Sequence, residues 1–466
     1  MKKILLSFLL LLPLLSCGEE ALYPARVADK WGYINQAGEM VITPQWQAVG
    51  LFSNGFALVE GEGGQGVIDS RGNVVLPPIY DITPHPYVYS IWGADPSGNP
   101  KLAYFDPAGG YLSPLIYDFI DDSFRDDPAA PMAVWTDEPP RLTYIIPATG
   151  EKAFENEYDA LYDHAAFREG YALASNEWIQ YDEDGNACGW GPEFHLIDYH
   201  GKETLFPEGI SPDSQVQEGY LRISRNLTNE ERAARDSGWG VVYGLAKPTG
   251  EIIIAPQYDY LYPPVEGCVT IWQDQLLGHI DLETGQAVEP RFYISTGGPL
   301  PYYSFSNGYA LLDDVMLEEG TPWWAEHEWG QKLIDRQGNV ILSLGKEDDY
   351  SLATRVFTPD GLCVYKKNQK YGLMKIADGQ ASFLTEAVYE KINIWDDLTD
   401  IKNPLDTGGL PAKMDGRWGY LNGQAEWMIP PQWEKADLFR QGLAQVEKDG
   451  KMAYINLQGD IIWQQP

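Results

Sequence analysis

Trp31-Gly32-Tyr33-Ile34-Asn35, then Val41-Ile42-Thr43-Pro44-Gln45-Trp46, then Phe52-Ser53-Asn54-Gly55-Phe56-Ala57-Leu58-Val59 form a three-part phrase that the chain repeats. Within it large apolar residues alternate with small or polar ones, and Gln36-Ala37-Gly38-Glu39 links the first run to the second. Alternation at period two with short Gly-containing links signals antiparallel hairpins. Pro44 falls at a strand end, where a missing N–H is tolerated. One copy therefore reads as a three-stranded meander with an aromatic-rich face. Such a unit buries that face only by stacking on its neighbours.

Working outward, the phrase returns as Arg417-Trp418-Gly419-Tyr420-Leu421-Asn422, Ile429-Pro430-Pro431-Gln432-Trp433 and Phe439-Arg440-Gln441-Gly442-Leu443-Ala444. A middle copy runs from Tyr243-Gly244-Leu245 to Ala255-Pro256-Gln257-Tyr258. Weaker copies open at Gln65-Gly66, Leu102-Ala103, Leu142-Thr143, Phe194-His195, Leu277-Gly278, Lys332-Leu333 and Tyr371-Gly372, and a half copy closes the chain at Met452-Ala453-Tyr454. These segments resemble the WG repeat of bacterial proteins, which implies β-structure and transfers no catalytic residue. The expectation is an all-β tandem array of about ten meander repeats. It is either propeller-like, which hides sheet edges and which the repeat length favours, or an open curved β-solenoid. The Trp and Tyr residues at repeat positions are expected in the core.

The leader has its own logic. Lys2 and Lys3 precede an apolar run from Ile4 to Leu15, interrupted by Pro13 and too short to span a bilayer, and then comes Leu14-Leu15-Ser16-Cys17. This resembles the lipobox of bacterial lipoproteins. The resemblance implies cleavage before Cys17, lipidation of its thiol and amine, and anchoring in the cell envelope, with Gly18 in place of Asp pointing to the outer membrane. Multiple acyl chains on one residue anchor stably where a single chain is marginal. The division expected is a signal peptide over residues 1–16, a lipidated N-terminus and tether over 17–28, and the repeat array over 29–466.

With 68 acidic against 33 basic residues the chain carries −35. So negative a field repels nucleic acid. Cys188, Cys268 and Cys363 are far apart and allow at most one disulfide among them.

Segments that break the phrase are where function is expected. Residues 119–140, rich in Asp and carrying four prolines, read as a long acidic loop; Thr228 with Glu231 marks a short exposed helix. Trp323, Trp324 and His327 lie between repeats and form the expected ligand-binding platform, since aromatics outside the packing phrase are released for contact. Asp182, Asp184 and Asn186 surround a Gly bend with oxygen donors suited to calcium, the only cofactor expected at all, although the spacing is not that of an EF-hand and a solvated turn is the plainer reading. No Gly-x-Ser-x-Gly, His-Glu-x-x-His, phosphate loop or Cys-x-x-Cys occurs. Two functions follow as expectations: a non-catalytic envelope protein holding a protein, peptide or glycan partner, touching the membrane through its lipid alone, or a glycan hydrolase using a carboxylate pair. A cavity with convergent carboxylates would separate the second from the first.

Overall fold

The computed structural model describes residues 21–122, 125–137, 139–159, 165–181, 187–234, 240–294, 303–316, 328–345, 347–353, 357–393 and 408–466. Within them the chain forms antiparallel sheets almost throughout, with one short helix, Asn229–Ala233, closed by the expected capping box between Thr228 and Glu231. No helix among the described residues is long and apolar enough to cross a membrane.

Each unit is built on one plan. In the sheet formed by Ala48–Val49, Phe56–Glu60, Gln65–Asp69 and Val74–Pro84 the strands pair in chain order. These are the opening, second, third and closing strands, joined by an opening turn, a hairpin and a closing turn. The first half of Val74–Pro84 closes one unit and its second half opens the next, so two units merge into a seven-stranded sheet. With that sheet counted twice, the described residues form eleven units.

Every sequence copy, the last half copy included, opens on the third strand of a unit, for example Lys30–Ile34, Gln65–Asp69, Arg417–Leu421 and Lys451–Ile455. The meander drawn from the phrase is out of phase with the sheet, however. Phe56–Glu60 does not pair with Met40–Trp46; it pairs with Gln65–Asp69 of the following copy. The array also begins at Tyr23, inside the segment expected as a tether, because Tyr23–Val27 pairs with Lys30–Ile34 and buries Tyr23 and Ala25.

Stacking closes into a ring. Eleven apolar clusters occupy the eleven junctions between consecutive units. The last of these junctions joins Leu443 and Tyr454 to Tyr23, Ala25 and Ile34. Tyrosine hydroxyls tie neighbours together: Tyr33 donates to the Gly50 carbonyl at 2.8 Å, Tyr420 to Asp437 at 2.7 Å, and Tyr454 to Pro24 at 2.9 Å, the last across the seam between the end and the start of the ring. Propeller-like closure is thus what the chain adopts, in place of an open solenoid. The anchoring aromatics are Tyr33, Tyr420 and Trp433, all buried, while Trp31 and Trp418 are half-buried.

The Trp-Gly pair has a specific task. A Cβ on Gly32 would lie 2.2 Å from the Ile42 carbonyl oxygen and 2.7 Å from the Pro44 nitrogen; on Gly419, 2.4 Å from the Ile429 oxygen and 2.8 Å from the Pro431 nitrogen. The register shifts at this point in both units, so the closing strand bulges inward over the glycine. Gly66, Gly244 and Gly278 meet their closing strands in the same way.

Candidate functional site

The opening turns and closing turns gather on one rim. Glu169 accepts from the N–H groups of Glu218 and Gly219, Glu218 from those of Glu266 and Gly267, and Glu266 from those of Asn307 and Gly308. Each of these opening turns holds its first residue at positive φ before a Gly, the form a two-residue hairpin turn requires. On the same rim Asp126 accepts from the Glu169 N–H at 2.7 Å.

Where the second, third and fourth units meet this rim there is a cavity of about 550 Å³, within the range typical of small-ligand sites. Opening turns supply Ser53, Asn54, His85, Pro86, Tyr87, Pro128 and Ala129. Closing turns supply Asp106, Pro107, Ala108, Gly109, Pro147 and Ala148. Phe56 and Tyr89 line it from adjacent strands. Asn54 Nδ2 donates to the Pro86 carbonyl at 2.9 Å and so fixes two turns against each other.

Arg125 also lines the cavity, with only 3% of its surface exposed. Its Nε donates to Asp122 Oδ1, and its Nη1 to the carbonyls of Pro128 at 3.2 Å and Ala130 at 3.0 Å. Its guanidinium lies 5.2 Å from the centre of the Tyr87 ring. These hydrogen bonds use the Nε and Nη1 donors, which leaves the N–H groups of Nη2. Burial pushes the Asp122 carboxyl up, with the Arg125 charge opposing. His85 Nε2 is 2.8 Å from Ser90 Oγ, and burial holds its imidazole below the usual range. Burial likewise pushes the Tyr89 hydroxyl up to about 12. Among the described residues Asp106 is the one carboxylate lining the cavity, and its Oδ1 accepts from the Ala108 N–H at 3.0 Å.

This arrangement corrects the reading of 119–140 as an acidic loop. Phe119–Asp121, Met132–Asp137 and Pro140–Ile145 are strands of the fourth unit, Ile120 is core, and Asp121 and Asp122 are buried. Asp122 is drawn inward with Arg125 as its counter-charge, and the half-buried Asp118 pairs with Lys101 at 2.6 Å, while Asp126 and Asp137 stay exposed.

Of the residues singled out in the sequence, Cys17, Asp182, Asp184, Asn186, Trp323, Trp324 and His327 all lie outside the described residues. The strands flanking the last two groups are known: Tyr171–Tyr181 with Ala187–Asp198, and Tyr309–Met316 with Trp329–Asp335. Each pair is a second and third strand, whose hairpin end is opposite the cavity rim. Among the described residues no group of three or more His, Cys, Asp or Glu could hold a metal ion. A further cavity of about 610 Å³, beside Tyr365, Asn368 and Phe383, reaches the hairpin end of the ninth unit and has no buried charge in its wall. The cavity residues escaped the sequence reading, although a signal was present: Pro86, Pro107, Pro128 and Pro147 recur at near-equal intervals where the Trp-Gly phrase fades.

Fold and site together define a closed β-repeat ring with a ligand-sized cavity on its turn rim. The WG containing repeat matches at residues 31–64, 66–83, 243–271 and 418–451, and the chain carries this repeat in those four regions. Each begins at or just before a glycine covered by a bulged closing strand. Among solved structures the chain is similar to a eukaryotic initiation factor, at 11% identity over 96% of both chains with a TM-score of 0.39. It is also similar to tricorn protease, at 10% identity over 92% of this chain and 48% of that one with a TM-score of 0.27. A third is the extracellular domain of the putative one component system BT4673 from B. thetaiotaomicron, at 11% identity over 97% and 78% with a TM-score of 0.21. No curated protein matches the chain.

Proposed function

We propose that this chain is a non-catalytic binding protein of the cell envelope, anchored through lipid on Cys17, that holds its partner at the rim cavity between residues 53 and 148. The observation that carries the reading is the cavity wall. Phe56, Tyr87 and Tyr89 present aromatic surface, four prolines hold the turns rigid, and one carboxylate, Asp106, is already committed to its own turn. Rigid aromatic surface binds at low entropy cost. Glycoside hydrolysis needs two carboxylates flanking one bond, and among the described residues this wall supplies one. The aromatic insertion at Trp323, Trp324 and His327 is proposed as a second contact region.

The test is ligand-observed NMR on the full chain with a mixture of capped amino acids and disaccharides, repeated on Ala148→Trp, which fills the cavity from its exposed edge. Binding that vanishes in Ala148→Trp supports the reading. Signals of new products would replace it with an enzyme, and binding untouched by Ala148→Trp would move the site elsewhere. Anchoring is tested separately: Cys17→Ala should lose fatty-acid label and leave the membrane fraction.

A further inference from the structure

Resting on that reading, we infer that the cavity takes one large apolar side chain of a basic peptide segment, with Arg125 Nη2 donating to a carbonyl beside it.

Arg125 is fixed on three sides, by Asp122 and by the carbonyls of Pro128 and Ala130. Its orientation is settled before any ligand arrives, so little entropy is lost when Nη2 is used. Its charge is balanced by Asp122, which lies beside it with no exposed surface. What Arg125, lining the cavity, leaves for a ligand is therefore the N–H pair of Nη2 in a neutralised ion pair rather than a net positive charge. A carboxylate or phosphate would meet that donor with the −35 field of the chain against it. A neutral carbonyl meets it without that opposition.

The wall then separates peptide from sugar. A buried sugar ring brings several hydroxyls, each of which costs free energy if left without a partner. The prolines, alanines and rings of this wall offer few. Asn54 and Asp106 are engaged with Pro86 and Ala108. His85 and Ser90 are hydrogen-bonded to each other. An aromatic or branched aliphatic side chain needs none of these groups and gains from contact with Phe56 and Tyr89. Its own main chain supplies the one acceptor that Arg125 can use.

Charge selects the flanks. The exposed carboxylates of Asp126, Glu169 and Glu218 follow one another along the same rim, beside the cavity and away from it. Lys or Arg on either side of the inserted residue would be drawn to them, an effect that salt screens.

Three capped tripeptides, Lys-Phe-Lys, Glu-Phe-Glu and Lys-Ser-Lys, and N,N′-diacetylchitobiose serve as probes in calorimetric or NMR titrations of the full chain. Lys-Phe-Lys should bind about tenfold tighter than Glu-Phe-Glu at low salt, with the gap closing as salt rises. Lys-Ser-Lys should bind far more weakly than Lys-Phe-Lys, and both Ala148→Trp and Ala129→Trp should abolish Lys-Phe-Lys binding. Chitobiose binding that Ala148→Trp removes, with the peptides silent, would overturn the peptide assignment while leaving the cavity as the binding site. Equal binding of Lys-Phe-Lys and Lys-Ser-Lys would overturn the inserted side chain. Failure of every probe, or binding untouched by either Trp variant, would overturn both this inference and the site it rests on.

Discussion

Two arcs of the ring share a plan and differ in one strand. From Lys435 through the seam to Tyr80 the phrase is intact or nearly so, and the closing strands Met40–Trp46, Val74–Pro84 and Ile461–Gln464 run unbroken. From Tyr89 to Asp198, where Ala103, Thr143 and His195 stand where Gly32 and Gly66 stand in the other arc, the closing strand fails. It is reduced to Tyr111–Leu112 plus a lone bridge from Leu102 to Tyr117 in the third unit. In the fourth unit it is reduced to bridges at Ile145–Lys152 and Leu142–Tyr158. Second and third strands pair equally well in both arcs. The glycine therefore does not make the sheet, nor does a closing strand require it, since Ala453 and Lys332 stand at the same position beside the paired strands Ile461–Gln464 and Val340–Leu344; where the glycine is present the closing strand bulges inward over it. In the third and fourth units the closing turns are released from regular pairing, and there they form the cavity wall.

The comparison breaks first at its most buried point. Arg125→Met should leave Asp122 charged and unpaired and cost about 3–5 kcal/mol. Lys101→Met, which removes a partly exposed pair with Asp118, should cost at most about 1 kcal/mol. Denaturant midpoints of the two variants decide it. Equal small losses would mean that the fourth unit is the loose acidic loop its composition suggests.

Next in size is the glycine itself. Gly66→Ala places a methyl 2.5 Å from the Leu76 carbonyl oxygen and should cost about 1–3 kcal/mol. The reverse change in the broken arc, Ala103→Gly, should cost no more than about 1 kcal/mol, since no closing strand depends on it. Hydrogen exchange sharpens the point. Amides of Val74–Pro84 should lose protection in Gly66→Ala, and those of Tyr111–Leu112 should be unchanged in Ala103→Gly.

These differences bear on what was legible in the residues. The Gly turn and the apolar run after it mark every third strand, because that strand sits mid-sheet and its pattern is dictated on both sides. Phase was not legible: the phrase follows the chain from third strand to closing strand to the next second strand, while pairing joins strands across the copies. The cavity was hidden for a related reason. Its donors, Arg125 and His85, come from the segments that fit the phrase least, and an Asp-rich run reads as solvated until the Arg three residues after Asp122 is seen to neutralise it.

The seam tests whether the ring is closed by the same device as its other junctions. Tyr33→Phe and Tyr454→Phe each remove one hydroxyl donated to a neighbour's carbonyl and should each cost about 1 kcal/mol. A loss in Tyr33→Phe with none in Tyr454→Phe would show that the seam is held by apolar contact alone.

The smallest expected effect concerns two histidines, the half-buried His85 and the buried His279, one in each kind of environment. His85 belongs to the broken arc. His279, fully buried, follows Gly278 in a unit whose closing strand is whole. Its Nε2 is 2.8 Å from the Arg336 carbonyl and so donates, which leaves Nδ1 to accept from the Tyr303 hydroxyl at 2.7 Å. Burial holds both imidazoles below 6.5. The unfolded chain therefore takes up protons first as pH falls through 6.5, and stability falls with it, by at most about 0.8 kcal/mol per histidine at pH 6. Asp122 and Asp437, whose carboxyls burial raises above 3.8, act in the opposite sense, because the folded chain is then the one that protonates first. The histidine contribution is isolated by difference. Stability of the native chain and of His279→Gln, which keeps a donor and an acceptor, is followed from pH 8 to pH 5. The native chain should lose more below 6.5 than the variant does, and His85→Gln should show the same flattening. Parallel curves for His279→Gln and the native chain would mean that the imidazole takes up its proton as readily in the fold as in the unfolded chain, so that burial does not hold it neutral.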